Sequence, residues 1–245
     1  PILDEMRWVK DEKEIAVLRI CGELAARGFD EAMRVTRPGM YEYQVVAATD
    51  YVYCNGGAFG PAYFAIAAAG LNGLNWHYNT NNHKLKKGEL FYMDYAPEVH
   101  YYTTDSTRTW PTEGEFTPTQ LKYYNCVKEV SEKVIAAMKP GITVNDMTEI
   151  ARQVFIKHGF EKLYRKGIGH FVGMSVHDVG DYSKAFVPGV VFNVEPIIED
   201  KELGIHVRIE DTILITATGS ENLTKSTPTE PAAIYKLMKE KGVTE

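Results

Sequence analysis

Four acidic residues of the 245-residue sequence stand in runs of otherwise strand-forming residues. Asp94 lies in Leu-Phe-Tyr-Met-Asp-Tyr-Ala and Asp105 in Tyr-Tyr-Thr-Thr-Asp-Ser-Thr-Arg-Thr, while Glu195 and Glu210 lie in Val-Phe-Asn-Val-Glu-Pro and Val-Arg-Ile-Glu-Asp. A buried carboxylate needs a base or a metal ion to offset its lost hydration. Any one acid could pair with a nearby arginine, but four acids and two arginines leave an excess of carboxylates. Two divalent ions would neutralise it, and carboxylate-rich ligation suits Mn²⁺, Co²⁺, Fe²⁺ or Zn²⁺.

Imidazoles that could complete such a site lie in a glycine-rich segment, residues 167–178. His170 and His177 are seven residues apart in this segment, and its glycines allow the backbone to approach a site closely. A single histidine in an apolar stretch is more often a buried core residue than a metal ligand. The segment alone is therefore open to both interpretations.

The first pair of acids falls in a predicted β-hairpin whose strands cover residues 90–96 and 101–109, joined by a short turn. That turn places Asp94 opposite Thr103, with Asp105 as its diagonal neighbour. Because alternate residues of a strand share a face, both acids would lie on the same face of the sheet.

The second pair falls in a second predicted hairpin, with strands over residues 190–197 and 206–215 and a longer acidic turn. A register similar to that of the first hairpin sets Glu195 opposite Arg208, with Glu210 diagonal to it. The two hairpins would then present their acids in the same way.

Helices are predicted before and after each hairpin from apolar spacing, capping residues and terminating Pro or Gly. The first two helices cover residues 11–36 and 41–54. A third begins at the Thr117 capping box and ends just before Pro140, and a fourth is capped by Thr143 and ends at His158. The last runs from Pro231 to about Gly242. This alternation predicts one α+β domain over residues 1–245 with internal pseudo-symmetry.

Composition excludes several classes of protein. With 44% hydrophobic and 24% charged residues the sequence has ordinary globular composition, and no apolar run approaches the roughly 20 residues of a membrane span. The formal net charge of −6 gives no electrostatic footprint for nucleic acid. We therefore expect neither nucleic acid nor a membrane as a partner. Three widely spaced cysteines argue against a disulfide framework and favour the cytoplasm.

Together these motifs resemble the metallopeptidases of the pita-bread fold, the group that includes methionine aminopeptidases, aminopeptidase P and prolidase. The resemblance covers nearly the whole chain. It implies a pseudo-two-fold α+β fold with a central curved antiparallel sheet and helices outside. It also implies two divalent metal ions, most readily Mn²⁺, with Co²⁺, Fe²⁺ or Zn²⁺ as alternatives. The implied metal ligands are Asp94, Asp105, His170, Glu195 and Glu210.

Within this group, Val-His-Asp-Val-Gly at residues 176–180 looks like the proline-peptidase branch, which hydrolyses Xaa-Pro bonds. Two residues depart from that branch. Lys166 stands where a histidine is common, and His206 stands where a small residue is more usual. Proline peptidases often carry a further N-terminal domain. Because the sequence starts at Pro1 rather than Met, we expect a processed or truncated N-terminus, with such a domain or a targeting segment as one explanation.

The resemblance implies a mechanism for an exopeptidase acting on peptides with a free amino terminus. Asp94 would hold one metal ion, Asp105 and Glu210 would bridge both, and His170 and Glu195 would each complete one side. A bridging hydroxide would attack the peptide carbonyl.

Glu195 would also relay the proton as general base and then acid. His177 would stabilise the oxyanion, and His77 matches the substrate-side histidine of the family. Arg208 would orient a ligand carboxylate.

Substrate contacts are the least specific part of the interpretation. Lys166 could meet a substrate carboxylate, Trp76 with Tyr63 and Phe64 could form an apolar wall, and His206 shares a strand face with Arg208. Three alternatives remain: a methionine aminopeptidase, a non-catalytic module that binds peptides or proteins, and a creatinase-like hydrolase that needs no metal. A homodimer also stays open.

Overall fold

The computed structural model describes residues 2–243, in which helices surround short antiparallel strands. The helices are α1 (Ile2–Trp8), α2 (Glu12–Val35), α3 (Glu42–Asn55), α4 (Pro118–Ala137), α5 (Val144–Lys157) and α6 (Pro231–Leu237). The strands are β1 (Gly60–Pro61), β2 (Ile66–Ala69), β3 (Leu90–Asp94), β4 (Pro97–Glu98), β5 (Thr107–Pro111), β6 (Val191–Val194), β7 (Ile197–Asp200), β8 (Ile205–Arg208), β9 (Asp211–Ile215) and β10 (Ser220–Asn222). A 3₁₀ helix, Gly70–Leu74, follows β2. The predicted α+β class is confirmed.

Side-chain caps fix the start of the long helices where the sequence predicted them. The Asp11 carboxylate accepts the backbone N–H groups of Lys13 and Glu14 at the start of α2. Thr117 and Thr143 make the corresponding capping boxes of α4 and α5. Helix α1, which has seven residues and buries none of them, was not predicted.

Each half of the molecule contributes one three-stranded antiparallel sheet. Strand β3 lies between β2 and β5, and β9 lies between β10 and β6. The two halves meet where Thr107 pairs with Glu210, whose backbone N–H donates to the Thr107 carbonyl oxygen at 3.0 Å. This pairing brings the two acid-bearing hairpins side by side.

The register predicted for the first hairpin is wrong by four residues. Asp94 lies opposite Thr107 rather than Thr103, because the intervening residues leave the ladder. Strand β4 pairs with β1, and a tight turn follows in which His100 and Tyr101 adopt left-handed φ angles of 49° and 67°. Since the shift is even, Asp105 still lies on the face of Asp94 and diagonal to it.

The second hairpin is shifted by two residues from its predicted register. Ile197 pairs with Arg208 and Val194 with Asp211, so the ladders on both sides place Glu195 opposite Glu210 rather than Arg208. The turn after β7 lies one residue later than predicted, and there the Asp200 carboxylate accepts the backbone N–H groups of Glu202 and Leu203. The shift is again even, and the acids keep their common face.

The main hydrophobic core draws on α2 to α6 and on both hairpins, from Cys21 to Met238. Trp110 of β5 is among its largest fully buried side chains. Within residues 2–243, no helix has the length and apolar character needed to cross a membrane. The three cysteines are free thiols in the same described region.

Candidate active site

The ligands predicted for the metal ions line one cavity of about 330 Å³. The acids lie at or just beyond the ends of β3, β5, β6 and β9, near the point where the two hairpins meet. The cavity contains all of Asp94, Asp105, His170, Glu195 and Glu210.

His170 is the centre of the cluster. Its Nε2 lies 3.2 Å from Oδ2 of Asp105, 3.8 Å from Oε1 of Glu210 and 3.9 Å from Oε1 of Glu195. Its Nδ1 donates to the carbonyl oxygen of Phe171 at 3.1 Å, since a carbonyl can only accept. This bond fixes the ring so that Nε2 faces the acids, the orientation a metal ligand needs.

The electrostatics of the cluster show an excess of buried negative charge. Burial raises the pKa of Asp94, Glu195 and Glu210, and neighbouring acids, Asp105 among them, raise it further. Burial alone would also raise the pKa of Asp105, but the hydrogen bond and charge of His170 together with the hydrogen bond from Tyr63 outweigh it and lower that pKa. Such a group of carboxylates either takes up protons or binds cations.

The donor set fits divalent ions. Asp105, His170 and Glu210 each offer one ligand atom, and these atoms lie within 4.8 Å of one another. Asp94 and Glu195 flank this group. Four carboxylates and one imidazole are hard to intermediate donors, which suit Mn²⁺, Fe²⁺, Co²⁺ or Zn²⁺.

Polar side chains that the sequence analysis did not assign to the metal cluster hold the acids in place. The Tyr63 hydroxyl lies 2.9 Å from Oδ1 of Asp94 and 2.6 Å from Oδ1 of Asp105. Asn193 donates to Glu210 at 2.8 Å. Asn193 had a detectable signal, because it is a polar residue two positions before Glu195 on a strand that is otherwise apolar. Tyr63 had none beyond a predicted place in an apolar wall.

Arg208 lies beside the acids, as its predicted orienting role requires. One guanidinium nitrogen is 2.9 Å from Oδ2 of Asp94, and another is 4.0 Å from Oε2 of Glu195. The guanidinium also lies over the ring of Tyr92, 5.0 Å from its centroid. It is buried, so it supplies a fixed positive charge on one side of the cluster.

The two candidate catalytic histidines line the same cavity. His177 stacks on His170 with ring centroids 3.8 Å apart and an interplanar angle of 15°. Partial desolvation and the neighbouring His170 lower the pKa of His177. His77 is exposed on the segment after the 3₁₀ helix. An imidazole N–H at either position could donate a hydrogen bond to a polarised carbonyl oxygen.

The three candidate substrate residues occupy different places. Trp76 lines the main cavity, and exposed Lys166 lines a smaller adjoining cavity of about 100 Å³ together with Trp76 and Glu195. His206 is buried, stacked on Tyr92 at 4.6 Å between centroids. It lines neither of these cavities, contrary to the predicted substrate contact, because it is enclosed by Tyr92 and by Glu199, whose Oε1 lies 3.3 Å from its Nδ1.

Comparisons with known proteins point in one direction. Residues 16–217 match metallopeptidase family M24. The Xaa-Pro aminopeptidase of Escherichia coli is 35% identical over 268 residues, which cover 97% of this chain and 61% of the relative. The Xaa-Pro dipeptidase of Pyrococcus horikoshii is 33% identical over 229 residues, covering 92% and 65%. The chain thus spans less than two thirds of the length of these relatives.

Solved structures agree with the sequence matches. A single-site variant of E. coli aminopeptidase P in complex with substrate matches with a TM-score of 0.90 and 33% identity, covering 97% of this chain and 61% of that one. Pseudomonas aeruginosa aminopeptidase PepP matches with a TM-score of 0.91 and 34% identity, again covering 97% of this chain and 61% of that one. These likenesses confirm the predicted pita-bread fold.

Proposed function

Because the chain belongs to metallopeptidase family M24, we propose that it is a dinuclear metal-dependent exopeptidase that cleaves Xaa-Pro bonds at the free amino terminus of peptides. The observation that carries the proposal is the convergence of four carboxylates and His170 in one cavity. The relatives named Xaa-Pro aminopeptidase and Xaa-Pro dipeptidase support the substrate class.

We propose that the cavity binds two divalent ions, for which we propose Mn²⁺. Asp94, Asp105, His170, Glu195 and Glu210 would hold them. Ions bound there would supply positive charge that lowers the pKa of a water molecule and polarises the scissile carbonyl.

The chain's own side chains would transfer the proton and stabilise the negative charge that develops on the carbonyl oxygen. Glu195 accepts a proton from the attacking water and passes it to the nitrogen that leaves when the C–N bond breaks. His177 and His77 donate hydrogen bonds to the carbonyl oxygen as negative charge develops on it. Arg208 keeps the Asp94 carboxylate oriented through their 2.9 Å contact.

The remaining cavity surface would bind the peptide. Phe64, Trp76 and Val176 provide apolar walls, which suit a proline ring and a small neighbouring side chain. Lys166, beside the smaller cavity, would pair with the terminal carboxylate of a short peptide. In this proposal Lys166 would favour short peptides over long ones.

Metal removal and reconstitution test the proposal. We expect the chelated protein to be inactive on Xaa-Pro and Met-Ala peptides and to regain Xaa-Pro cleavage when loaded with Mn²⁺. Activity should saturate at about two ions per chain. Ca²⁺ serves as a control cation, because its larger ionic radius and preference for oxygen ligands do not suit His170.

Three outcomes would contradict the proposal. Release of Met from Met-Ala peptides without Xaa-Pro cleavage would identify a methionine aminopeptidase. Peptide binding without turnover by the loaded protein would identify a binding module. Full activity after chelation would indicate metal-free, creatinase-like hydrolysis. The cytoplasmic location, the homodimer and the single domain over residues 1–245 stay predictions from the sequence.

A further inference from the structure

A further buried carboxylate, that of Glu199 on β7, lies next to the active-site cavity but is not one of the proposed metal ligands. Its side chain is only 2% exposed. Oε1 accepts the indole N–H of Trp76 at 2.7 Å and lies 3.3 Å from Nδ1 of His206. Oε2 accepts two N–H groups of Arg165, the one from Nε at 2.7 Å. One carboxylate thus gathers residues from three separate segments of the chain.

The charges in this group are matched. Burial opposes ionisation of Glu199, but the hydrogen bonds from His206, Arg165 and Trp76 outweigh it and hold its pKa at about 2. Burial lowers the pKa of His206 to about 4, so the imidazole is neutral at pH 7. Glu199 is therefore an anion paired with the Arg165 cation, and its other oxygen is free to hold the indole.

Trp76 is held on both its edge and its face. Glu199 fixes the N–H edge, while the Arg165 guanidinium lies over the ring, 5.2 Å from the centroid. A cation over an indole face is attracted by the ring quadrupole. An aromatic side chain fixed in two directions keeps one rotamer, although the segment that carries it is largely exposed.

The position of Trp76 connects this group to substrate. Its ring lines the main cavity with Glu195 and His77, and it also lines the smaller cavity with Lys166. Tyr92 donates to the carbonyl oxygen of Asn75 at 3.2 Å and so secures the neighbouring backbone. Any rotation of the indole would change the shape of both cavities.

We propose that Glu199 is a positioning residue that, together with Arg165, fixes Trp76 as a rigid wall of the substrate pocket and thereby sets substrate affinity. The inference rests on the proposed peptidase function, which it deepens. Glu199 acts through the indole and touches neither the metal cluster nor the reacting bond.

Two substitutions separate the parts of this arrangement. Glu199→Gln keeps an oxygen acceptor but removes the charge that binds Arg165. Trp76→Phe keeps an aromatic ring but removes the N–H donor. The matched control is Glu129→Gln, since Glu129 also accepts from a cation, Lys157, and from an imidazole, His158, each at 2.7 Å, but belongs to α4 and does not line the cavity.

Steady-state kinetics of the Mn²⁺-loaded enzyme on an Xaa-Pro peptide give the main readout. We expect each of the two variants to raise KM about tenfold and to leave kcat within about twofold. The reason is that the lost contact stabilises the bound substrate and the transition state equally. The double variant should be no worse than the poorer single one, since both substitutions act through the position of the same aromatic ring. Glu129→Gln should change neither constant.

Several results would overturn the inference. An unchanged KM in both single variants would do so, as would independent, multiplicative effects in the double variant. A fall in kcat and metal content at constant KM would mean that Glu199 supports the metal cluster instead. If Glu199→Gln fails to fold, Trp76→Phe decides alone through its KM.

A spectroscopic readout keeps the inference separate from the proposed function. Absence of turnover by the wild-type protein would contradict the peptidase proposal only. In that case the emission of Trp76, obtained by subtracting the spectrum of Trp76→Phe, is titrated with acrylamide. We expect Trp76 to be quenched at least twofold more strongly in Glu199→Gln than in the wild type. Equal quenching would overturn the inference that Glu199 fixes Trp76.

Discussion

Glu195 differs from the other acids of the cluster in its access to the cavity. Its side chain is 22% exposed, whereas that of Glu210 is 1% exposed and that of Asp105 is 5%. A carboxylate that transfers a proton between water and a leaving nitrogen must reach both. The geometry therefore favours Glu195 over its neighbours for the acid–base role.

Glu195→Gln tests that role, because glutamine has nearly the same volume but cannot take up the proton. At saturating Mn²⁺ we expect kcat to fall by about 10²–10⁴-fold, with an unfolding midpoint close to that of the wild type. Glu129→Gln again serves as the control carboxylate. Residual activity above a tenth of the wild-type value would show that another group moves the proton.

His206 connects a single imidazole to the stability of the protein. Burial lowers its pKa to about 4, below the value of about 6.5 in an unfolded chain. Between these values the unfolded state binds a proton that the folded state does not. Falling pH therefore favours unfolding across this window, and the stability gained from neutral His206 is present in full only above about pH 6.5.

The expected slope is at most about 1.4 kcal/mol per pH unit for this one group. His206→Gln keeps a hydrogen-bond donor for Glu199 but does not titrate. Urea unfolding between pH 4.5 and 6.5 should therefore show a shallower pH dependence for this variant than for the wild type. Substitution of the exposed His100 by Asn is the control. Equal slopes in His206→Gln and wild type would contradict the prediction.

The four acids of the proposed metal cluster stood out in the sequence because acids in apolar strands are costly. His170 did not stand out in this way and was assigned through the resemblance to the family. Trp76 and Glu199 illustrate the opposite case. They are 123 residues apart, and neither shows a pattern in its own segment that indicates the other. Contacts of this kind depend on tertiary packing, which one sequence does not display.

At the level of elements, the glycine-rich segment over residues 167–178 positions two proposed ligands at once. Asn193 donates its backbone N–H to the carbonyl oxygen of His170 at 2.8 Å, and Glu195 donates to that of Ile168 at 2.9 Å. Gly169 lies between these contacts with φ of +152°, and a Cβ there would come within 1.8 Å of the Asn193 carbonyl oxygen. Only glycine allows this approach.

Gly169→Ala should therefore separate the segment from β6 and displace both His170 and Glu195. We expect a loss of several kcal/mol in unfolding free energy and at least tenfold weaker metal binding. Gly167→Ala is the control, because Gly167 also has a positive φ of +104° but no atom within 4 Å of its Cβ position. It should cost about 1 kcal/mol through backbone strain alone. Equal effects of both variants would contradict the close-approach argument.

Helix boundaries were more predictable than strand registers, for a physical reason. Caps such as Thr117 and Thr143 act within three residues, so the sequence contains both partners. Register depends on the turn between two strands. The left-handed positions in the first hairpin are occupied by His100 and Tyr101 rather than by the Gly or Asn that marks such a turn. The register predicted for this hairpin therefore differs from the observed one by four residues.

For the whole molecule, the class of fold followed from the alternation of helices and hairpins. The location of its excess negative charge did not follow from the composition. The formal net charge of −6 includes four acids that converge in the interior cavity. Two divalent ions would bring the charge of the loaded chain to about −2. Much of the acidic surplus is thus a feature of the site rather than of the surface.

The pairing of Thr107 with Glu210 also bears on the order of events in folding. These residues are 103 positions apart, and contacts with so large a sequence separation form slowly because a long loop must close first. The ligand set straddles this joint, so neither half of the chain can assemble it alone. Ions bound between the two halves after they have paired would chiefly slow unfolding. They would prolong the lifetime of the native state without accelerating its formation.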